Sequence, residues 1–393
     1  MLNGRRVLLA VTGGVAAYKS AYLARRLVEA NAEVRVALTE AALEFIGPQT
    51  FAAITGSQPY TSLFAEDRSV SPHTDLARWA DVIVIAPATA ATIGKIASGI
   101  ASDLVSATLL VAQCPVLVAP AMHTEMWEHP ATVRNIATLT KDGYRFVGPS
   151  TGPLAGGDVG VGRVAEPEEI VEELEALLTP ASDAPRVLIT AGGTREPIDP
   201  VRYVGNRSSG KMGHAIAREA AGRSLRVTLV TSSDLPVPGG VKVVAVETAQ
   251  QMADTVSGIE TEIAIMTAAV ADFRPTEAND AKISRSDGVG AIDLEPTPDV
   301  LASVVARADH PYVVGFAAET GGVERAVDKA RMKKVDLLVY NDVTEPGSGF
   351  GSDTNRVVII DSEGETDAWP MMTKDEVAAG LIDLIMSQWR PGE

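Results

Sequence analysis

The sequence predicts an α/β protein made of two Rossmann-like parallel-sheet domains in tandem, and three observations carry that expectation. Short apolar runs alternate with helical patterns along the whole chain. Both halves open alike, strand then paired glycines then helix, as VLLAVTGGVAAYK and VLITAGGTREPID. Aromatic residues make up only 5% of a chain that is 46% hydrophobic, so small aliphatic side chains must build the layers. That suits helices lying close on a buried parallel sheet.

In the first half the strands are RVLLAV, EVRVALT, DVIVIAP and CPVLVAP; in the second they are RVLITAG, RVTLVTS, EIAIMTAAV and PYVVGFA. At 393 residues the chain can bury two cores. Between the halves, EPEEIVEELEALLTPASDAP starts as an acidic amphipathic helix and ends in a Pro/Ala/Ser/Asp stretch before a strand that begins at Val187. The domains are therefore placed at 1–180 and 186–393. The two openings share architecture but not their flanks, and are not a repeat.

Composition narrows the function. A net charge of -17 with no local basic patch excludes a nucleic-acid partner. The N-terminal apolar stretch is too short for a signal peptide and no segment approaches transmembrane length, so no membrane partner is expected and the cytoplasm is the expected location. Cys114 is the one cysteine, which excludes an intramolecular disulfide, a CxxC redox pair and a cysteine zinc cluster. It is expected to be buried on the strand CPVLVAP.

Gly13 and Gly14 follow a strand and precede a helix, where backbone N–H groups and a helix N-terminus can face a phosphate. The pattern is not G-x-G-x-x-G, and a tight turn without ligand would use the same residues. Further motifs decide: SPHTDLARWAD at 71–81, APATAATIGKIASGIASDL at 86–104 and PAMHTEMW at 120–127. Together they resemble the homo-oligomeric flavin-containing cysteine decarboxylases, of flavodoxin-like fold. The resemblance implies FMN held around Gly13, Gly14, Thr39, Pro87, Ala88, Thr89, Ala90 and Thr92. His73 matches the active-site histidine that handles the substrate's carboxylate end. The flavin oxidises the thiol to a thioaldehyde, which lets the neighbouring carboxylate leave as CO2.

Met122, Gly157, Asp158 and Arg163 match substrate-binding positions of the same family. Two positions depart from it. His123 stands where the substrate-binding asparagine is expected. In LAGGDVGVGR, Gly156 replaces the cysteine that protonates the enethiolate intermediate. Imidazole can donate a hydrogen bond and serve as an acid, so His123 is expected to cover part of both losses. The alternative is an active ligase fused to a flavin-binding domain whose decarboxylase activity is lost or altered.

The second half carries TAGGTREPIDPVRYVGNRSSGKMGHAIA at 190–217. Gly192 and Gly193 open a phosphate-accepting turn, Asn206, Arg207, Ser208 and Ser209 supply donors, and Gly210 with Gly213 lets a helix start near a ligand. The run resembles the phosphopantothenate–cysteine ligases. That implies Asn206 as the residue binding an acyl-nucleotidyl intermediate, with Arg202, Arg207 and Ser208 on the substrate. The implied CTP contacts are Met266, Thr267, Ala268, Asp272, Lys282, Pro298, Asp299, Val300, Leu301, Phe316, Lys329 and Lys333. Lys282 matches the first lysine of a basic cluster that promotes acyl-cytidylate formation, thinned here to Ser284 and Arg285. Lys329 and Lys333 are spaced to put two ammonium groups on one polyphosphate. Mg2+ is implied by that polyphosphate, with its protein ligands unassigned.

A competing class is a nicotinamide or flavin oxidoreductase using both glycine turns. It lacks a G-x-G-x-x-G with an acidic ribose binder downstream. From Arg6 to about Ile385 the chain resembles the bifunctional enzymes of coenzyme A biosynthesis. The resemblance implies 4'-phosphopantothenate, L-cysteine and CTP as substrates. It also implies a homo-oligomer of trimeric decarboxylase halves and dimeric ligase halves, such as a dodecamer.

Overall fold

The computed structural model describes residues 2–64, 70–284, 291–320, 322–349 and 351–391. The chain forms two compact units, Met1–Thr179 and Pro180–Glu393.

In the first unit, β1 (Arg6–Val11), β2 (Glu33–Leu38), β3 (Val82–Ala88), β4 (Val116–Pro120) and β5 (Arg145–Phe146) make a parallel sheet of order β2-β1-β3-β4-β5. This is the flavodoxin-like order, whose chain reverses direction across the sheet between β1 and β3 and opens a crevice at their carboxyl ends. The helices are α1 (Ala17–Glu29), α2 (Glu40–Leu43), α3 (Pro48–Thr55), α4 (Pro72–Trp79) and α5 (Ala90–Ala97). They continue as α6 (Leu104–Val111), α7 (Thr124–Trp127), α8 (Pro130–Lys141) and α9 (Pro167–Leu178). A hairpin, β6 (Ser150–Pro153) and β7 (Val159–Arg163), stands apart from the sheet.

Every residue of β3 is buried, because Val82, Val84 and Ala86 pack into a core with α1 and α9 while Ile83, Ile85 and Ala88 pack into the opposite one. A strand covered on both faces reads as an unbroken apolar run. α9 starts sharply: Pro167 takes its first position and Glu166 with Glu169 forms a capping box. Cys114 departs from expectation. It is only half-buried and precedes β4, since Pro115 has no N–H for the ladder and pairing begins at Val116.

In the second unit, β8 (Arg186–Ala191) is followed by a hairpin of β9 (Arg195–Pro197) and β10 (Tyr203–Gly205), then β11 (Arg226–Thr231), β12 (Lys242–Ala245) and β13 (Ile263–Met266). A second small ribbon joins β14 (Phe273–Pro275) to β15 (Leu294–Pro296). The chain then forms β16 (Tyr312–Glu319), β17 (Leu337–Asp342), β18 (Thr354–Asn355), β19 (Val358–Asp361), β20 (Thr366–Ala368) and β21 (Met372–Thr373). The main sheet runs β12-β11-β8-β13-β16-β17-β19-β20. Its helices are α10 (Lys211–Gly222), α11 (Ala249–Ser257), α12 (Val300–Val305), α13 (Val323–Lys333) and α14 (Lys374–Gln388). α10 and α14 cover one face, α11 to α13 the other.

The sheet is parallel through β17, but β19 and β20 add an antiparallel edge that the sequence pattern did not announce. A side chain makes that turn: Asp361 Oδ1 accepts from the N–H groups of Glu363, Gly364 and Glu365, with Gly364 at φ 91°.

Candidate functional site

In the first unit the glycine turn after β1 meets the start of α5 through threonine hydroxyls. Thr12 Oγ1 donates to Pro87 O (2.6 Å) and accepts from Thr89 N (3.1 Å). Thr89 caps α5, its hydroxyl 3.1 Å from that of Thr92. Thr39 caps α2, accepting from Ala42 N at 3.2 Å. A Cβ on Gly13 would lie 2.4 Å from the Ala41 Cβ, so only glycine lets the turn approach α2 this closely. A Cβ on Gly14 would meet Thr89 Cγ2 at 3.7 Å. Gly13, Gly14, Thr39, Pro87, Ala88, Thr89, Ala90 and Thr92 therefore gather at the carboxyl ends of β1, β2 and β3. Three helices start there, which favours an anion. The chemistry of this donor set, hydroxyls and helix N-termini, fits the phosphate and polar edge of a flavin.

His73 lies inside α4, in its first turn, because Pro72 already occupies the first helical position. Its Nδ1 is buried and has no hydrogen-bond partner among the described residues. α4 leads directly back into β3, so this first turn faces the same carboxyl edge of the sheet. Ala121 N donates to Ala88 O (2.9 Å), which starts the PAMHTEMW loop beside the threonines.

The hairpin docks on that loop. Met122 N donates to Gly162 O (2.9 Å) and Thr124 Oγ1 to Val161 O (2.8 Å). At the hairpin tip Leu154 N donates to Asp158 O (2.7 Å) and Gly157 N to Leu154 O (3.0 Å), with Gly157 at φ 94°. Gly156 and His123 are neighbours: a Cβ on Gly156 would sit 3.0 Å from His123 Cε1 and 3.8 Å from its Nδ1. The imidazole thus stands beside the space a side chain at 156 would enter. Arg163 is turned to Glu166 (2.5 Å), whose same oxygen also takes the Lys19 ammonium at 2.9 Å. Lys19 and Glu166, which hold the foot of the hairpin to α1 and α9, escaped the motif reading.

In the second unit, the loops that follow β10, β13, β15 and β17, with the starts of α10, α12 and α14, line a cavity of about 840 Å³. The segment after β13 is sewn to β8: Thr267 Oγ1 donates to Thr190 O (2.5 Å), Ala269 N to Gly192 O (2.8 Å) and Ala271 N to Thr194 Oγ1 (2.9 Å). Asn206 Nδ2 donates to the carbonyls of Ala269 (3.3 Å) and Val270 (3.0 Å), tying the loop before α10 to that segment. Close packing continues at Gly213, where a Cβ would lie 2.5 Å from both Ala191 Cβ and Thr267 Oγ1.

Asn206, Arg207, Ser208, Met266, Thr267, Ala268, Asp272, Pro298, Asp299, Val300, Leu301, Phe316, Lys329 and Lys333 all line this cavity. Lys329 pairs with Glu319 at 2.6 Å and Lys333 with Asp299. Burial pushes the Asp299 carboxyl up, but the Lys333 ammonium, the Ala302 N–H and the Lys329 charge outweigh it and hold the group below its ordinary range. Asn206, Arg207 and Ser208 also border a second cavity of about 450 Å³ with Arg195 and Tyr203.

Two expected residues lie elsewhere. Arg202 is bound to Asp199 Oδ2 (3.1 Å) and Ile283 O (3.3 Å), and Lys282 is exposed on a segment fixed by Ile283 N donating to Asp199 Oδ2 at 3.2 Å. The buried Asp199 thus holds both Arg202 and the Lys282 segment, and neither residue lines the cavity. Ser284 is exposed beside it, and Arg285 lies outside the described residues. Conversely, Lys211, Asn341, Asn355 and Lys374 line the cavity without having been foreseen. Lys211 sits within the glycine-rich motif and could have been read there; the others are scattered on β17, β18 and α14. Among the described residues no group of three or more His, Cys, Asp or Glu side chains could hold a metal ion, and no helix is long and apolar enough to cross a membrane.

A flavodoxin-ordered unit with hydroxyls and helix N-termini gathered at its switch point, joined to an α/β unit with a lysine-bearing cavity, defines a two-part enzyme of the flavoprotein and nucleotide-binding kind. Residues 1–179 match the Flavoprotein family and residues 183–388 the DNA/pantothenate metabolism flavoprotein C-terminal domain. The coenzyme A biosynthesis bifunctional protein CoaBC of Bacillus subtilis (strain 168) is 45% identical over 395 residues, 98% of this chain and 97% of its own. Among solved structures, the C-terminal domain of a coenzyme A biosynthesis bifunctional protein CoaBC is 40% identical over 52% of this chain and 96% of its own, with a TM-score of 0.44. A PPC decarboxylase variant complexed with pantothenoylaminoethenethiol is 35% identical over 44% of this chain and 98% of its own, with a TM-score of 0.40. The chain belongs to the family of coenzyme A biosynthesis bifunctional proteins.

Proposed function

We propose that the second unit joins L-cysteine to 4'-phosphopantothenate at the expense of CTP, and that the first unit decarboxylates the resulting 4'-phosphopantothenoylcysteine to 4'-phosphopantetheine. The observation that carries this reading is the single cavity that collects Asn206 and two carboxylate-held lysines, Lys329 and Lys333. Amide formation in water is uphill, so the carboxylate must first be activated. A carboxylate oxygen of phosphopantothenate attacks the α-phosphorus of CTP and pyrophosphate leaves. The cysteine amine then attacks the acyl carbon, CMP departs, and the amine proton is lost.

In this cavity Asn206 fixes the two loops between which the acyl group must lie, and Lys329 and Lys333 offset the phosphate charge. Mg2+, bound with the nucleotide, would offset part of the phosphate charge, and Asp272 and Asp299 are the carboxylates on the cavity wall that could face it. In the first unit Gly13, Gly14, Thr39, Pro87, Ala88, Thr89, Ala90 and Thr92 hold FMN. When bound, it supplies the two-electron oxidation that makes the carboxylate labile. His73 offers a buried ring nitrogen to the substrate's carboxylate end. His123, beside Gly156, donates the proton that a glycine at 156 cannot. Exposed Val15, Tyr18 and Tyr22 around the start of α1 support a homo-oligomeric first unit.

The test is incubation of the purified chain with 4'-phosphopantothenate, L-cysteine, CTP and Mg2+, followed by mass spectrometry. 4'-Phosphopantetheine with CMP is the expected outcome. Accumulated 4'-phosphopantothenoylcysteine would favour the ligase-only alternative, which the glycine at 156 motivates. Absence of CMP would overturn the proposal.

A further inference from the structure

The smaller cavity of the second unit takes no part in the chemistry above. Asn206, Arg207, Ser208 and Ser209 line it as well as the large cavity, so the loop before α10 is their common wall. The large cavity lies over β13 and β16, whereas the smaller one is closed on its other side by residues that follow β8 and β11. An occupant would sit next to the place where the acyl group must be held.

The wall is fixed. Ser233 Oγ donates to Ser209 O (2.8 Å) and accepts from Leu235 N (3.3 Å), which ties the loop after β11 to the shared loop. A Cβ on Gly193 would lie 2.4 Å from Asn206 O, so the turn after β8 reaches the same loop only as glycine. Three segments distant in sequence thus build a cavity of about 450 Å³ beside the nucleotide site.

Its charge is unbalanced. Among the described residues, the charged ones on its lining are Arg195, Arg207 and Asp234. Arg195 is engaged, with Nη2 3.0 Å from Asp234 Oδ2 and the guanidinium 5.8 Å from the centre of the Tyr203 ring. Arg207 is exposed, and its guanidinium has no hydrogen bond or ion pair among the described residues. One positive charge therefore remains, on a planar fork of N–H donors that matches a carboxylate. A phosphate ester brings about 1.5 to 2 negative charges, more than this lining offsets. L-Cysteine in its nucleophilic form, with the amine neutral, the thiol protonated and the carboxylate ionised, brings one.

We propose that this cavity receives L-cysteine, with Arg207 taking its carboxylate where the two cavities meet. The proposal rests on the reading of the large cavity as the CTP site, and it names the substrate met by Arg207, which the family resemblance leaves open. The amine sits on the carbon next to the carboxylate, so fixing one aims the other at the acyl group beside Asn206. Nitrogen then bonds to the acyl carbon, the bond from that carbon to the phosphate oxygen of CMP breaks with its electron pair on CMP, and the amine proton passes to solvent. A nucleophile housed apart from the nucleotide attacks without displacing it.

KM values from CMP release by the full-length protein test the site. Arg207→Met is expected to raise the KM for L-cysteine about tenfold, as loss of one charged hydrogen bond would, and to leave that for 4'-phosphopantothenate where it is. Cysteamine, which has the amine and thiol without the carboxylate, should be used as well by Arg207→Met as by the unaltered protein. Asp234→Asn should act in the opposite direction and lower the KM for L-cysteine, because it removes the negative charge from the lining. A variant that merely loosened the loop would not do so. The Asp234 side chain is 88% exposed, so this variant decides the matter if Arg207→Met does not fold. If the KM for 4'-phosphopantothenate moves with that for L-cysteine, or neither moves, in variants that still release pyrophosphate from CTP and 4'-phosphopantothenate, the cysteine site is wrong and the CTP reading stands. If the unaltered protein releases no pyrophosphate from that pair, the CTP reading fails and the cysteine site falls with it.

Discussion

The two units offer different kinds of donor at the sites proposed for phosphate. Around β1 and β3 the first unit offers hydroxyls and helix N-termini, all neutral groups, and the hydroxyls of Thr12, Thr89 and Thr92 bond one another. Around β13 and β16 the second offers four lysines, each already held by a carboxylate or a carbonyl. Neutral, pre-paired donors suit a group that stays, since nothing must be rearranged when it is in place. Cations on carboxylate tethers suit a group that arrives charged and leaves more charged, because the tether recaptures the lysine after each turnover.

The sharpest way to break this comparison is at His123, the proton donor proposed for the first unit. His123→Ala should lower decarboxylation of supplied 4'-phosphopantothenoylcysteine by roughly 10²- to 10⁴-fold, the range for a lost general acid, while CMP release is untouched. Stopped-flow flavin absorbance with parallel CMP assays would read both. Asn206→Ala should do the reverse, cutting CMP release on the order of 10²-fold by loosening the loops it ties, with decarboxylation unchanged. Lys333→Met, which frees Asp299, should raise the KM for CTP about tenfold with a smaller effect on kcat, as expected of a contact made before the chemistry.

The smallest effect concerns stability. His214 of α10 is 4% exposed, its Nδ1 lies 3.0 Å from Gly210 O, and burial holds its pKa below the ordinary value, with Gly210 O opposing and the Arg218 charge reinforcing. The folded second unit therefore binds the proton less readily than the unfolded chain. The stability contributed by the neutral imidazole is fully present above the unfolded pKa, near 6.5, and is lost as pH falls from there through the lower folded value. His214→Gln should flatten the fall of the second unit's Tm between about pH 7 and pH 5. An unchanged slope in calorimetry would show that other groups govern it.

The regions also differ in how far they could be read from sequence. β1, β3, β8 and β13 were legible because strands buried on both faces need uninterrupted aliphatic runs, and the glycine turns were legible because close approach excludes a Cβ. The adjacency of His123 and Gly156 was not, since no local pattern relates a loop after β4 to the tip of a later hairpin. Lys374 and Asn355 stayed hidden for the same reason: a lysine opening a helix and an asparagine ending a two-residue strand look like solvated side chains until the fold brings them to one cavity. The antiparallel edge rested on one aspartate in a four-residue turn, too short a signal to set against six parallel strands.

Glu166, shared between Lys19 and Arg163, also bears on how the two halves can be separated. It precedes α9, and α9 ends one residue before Thr179, where the first compact unit stops. A cut after Thr179 leaves the hairpin moored to α1, whereas a cut before Glu166 would release its foot while sparing every residue proposed to hold FMN. The first half is thus portable only with its last helix attached, and a shorter fragment would keep the glycine and threonine cluster beside a hairpin no longer anchored.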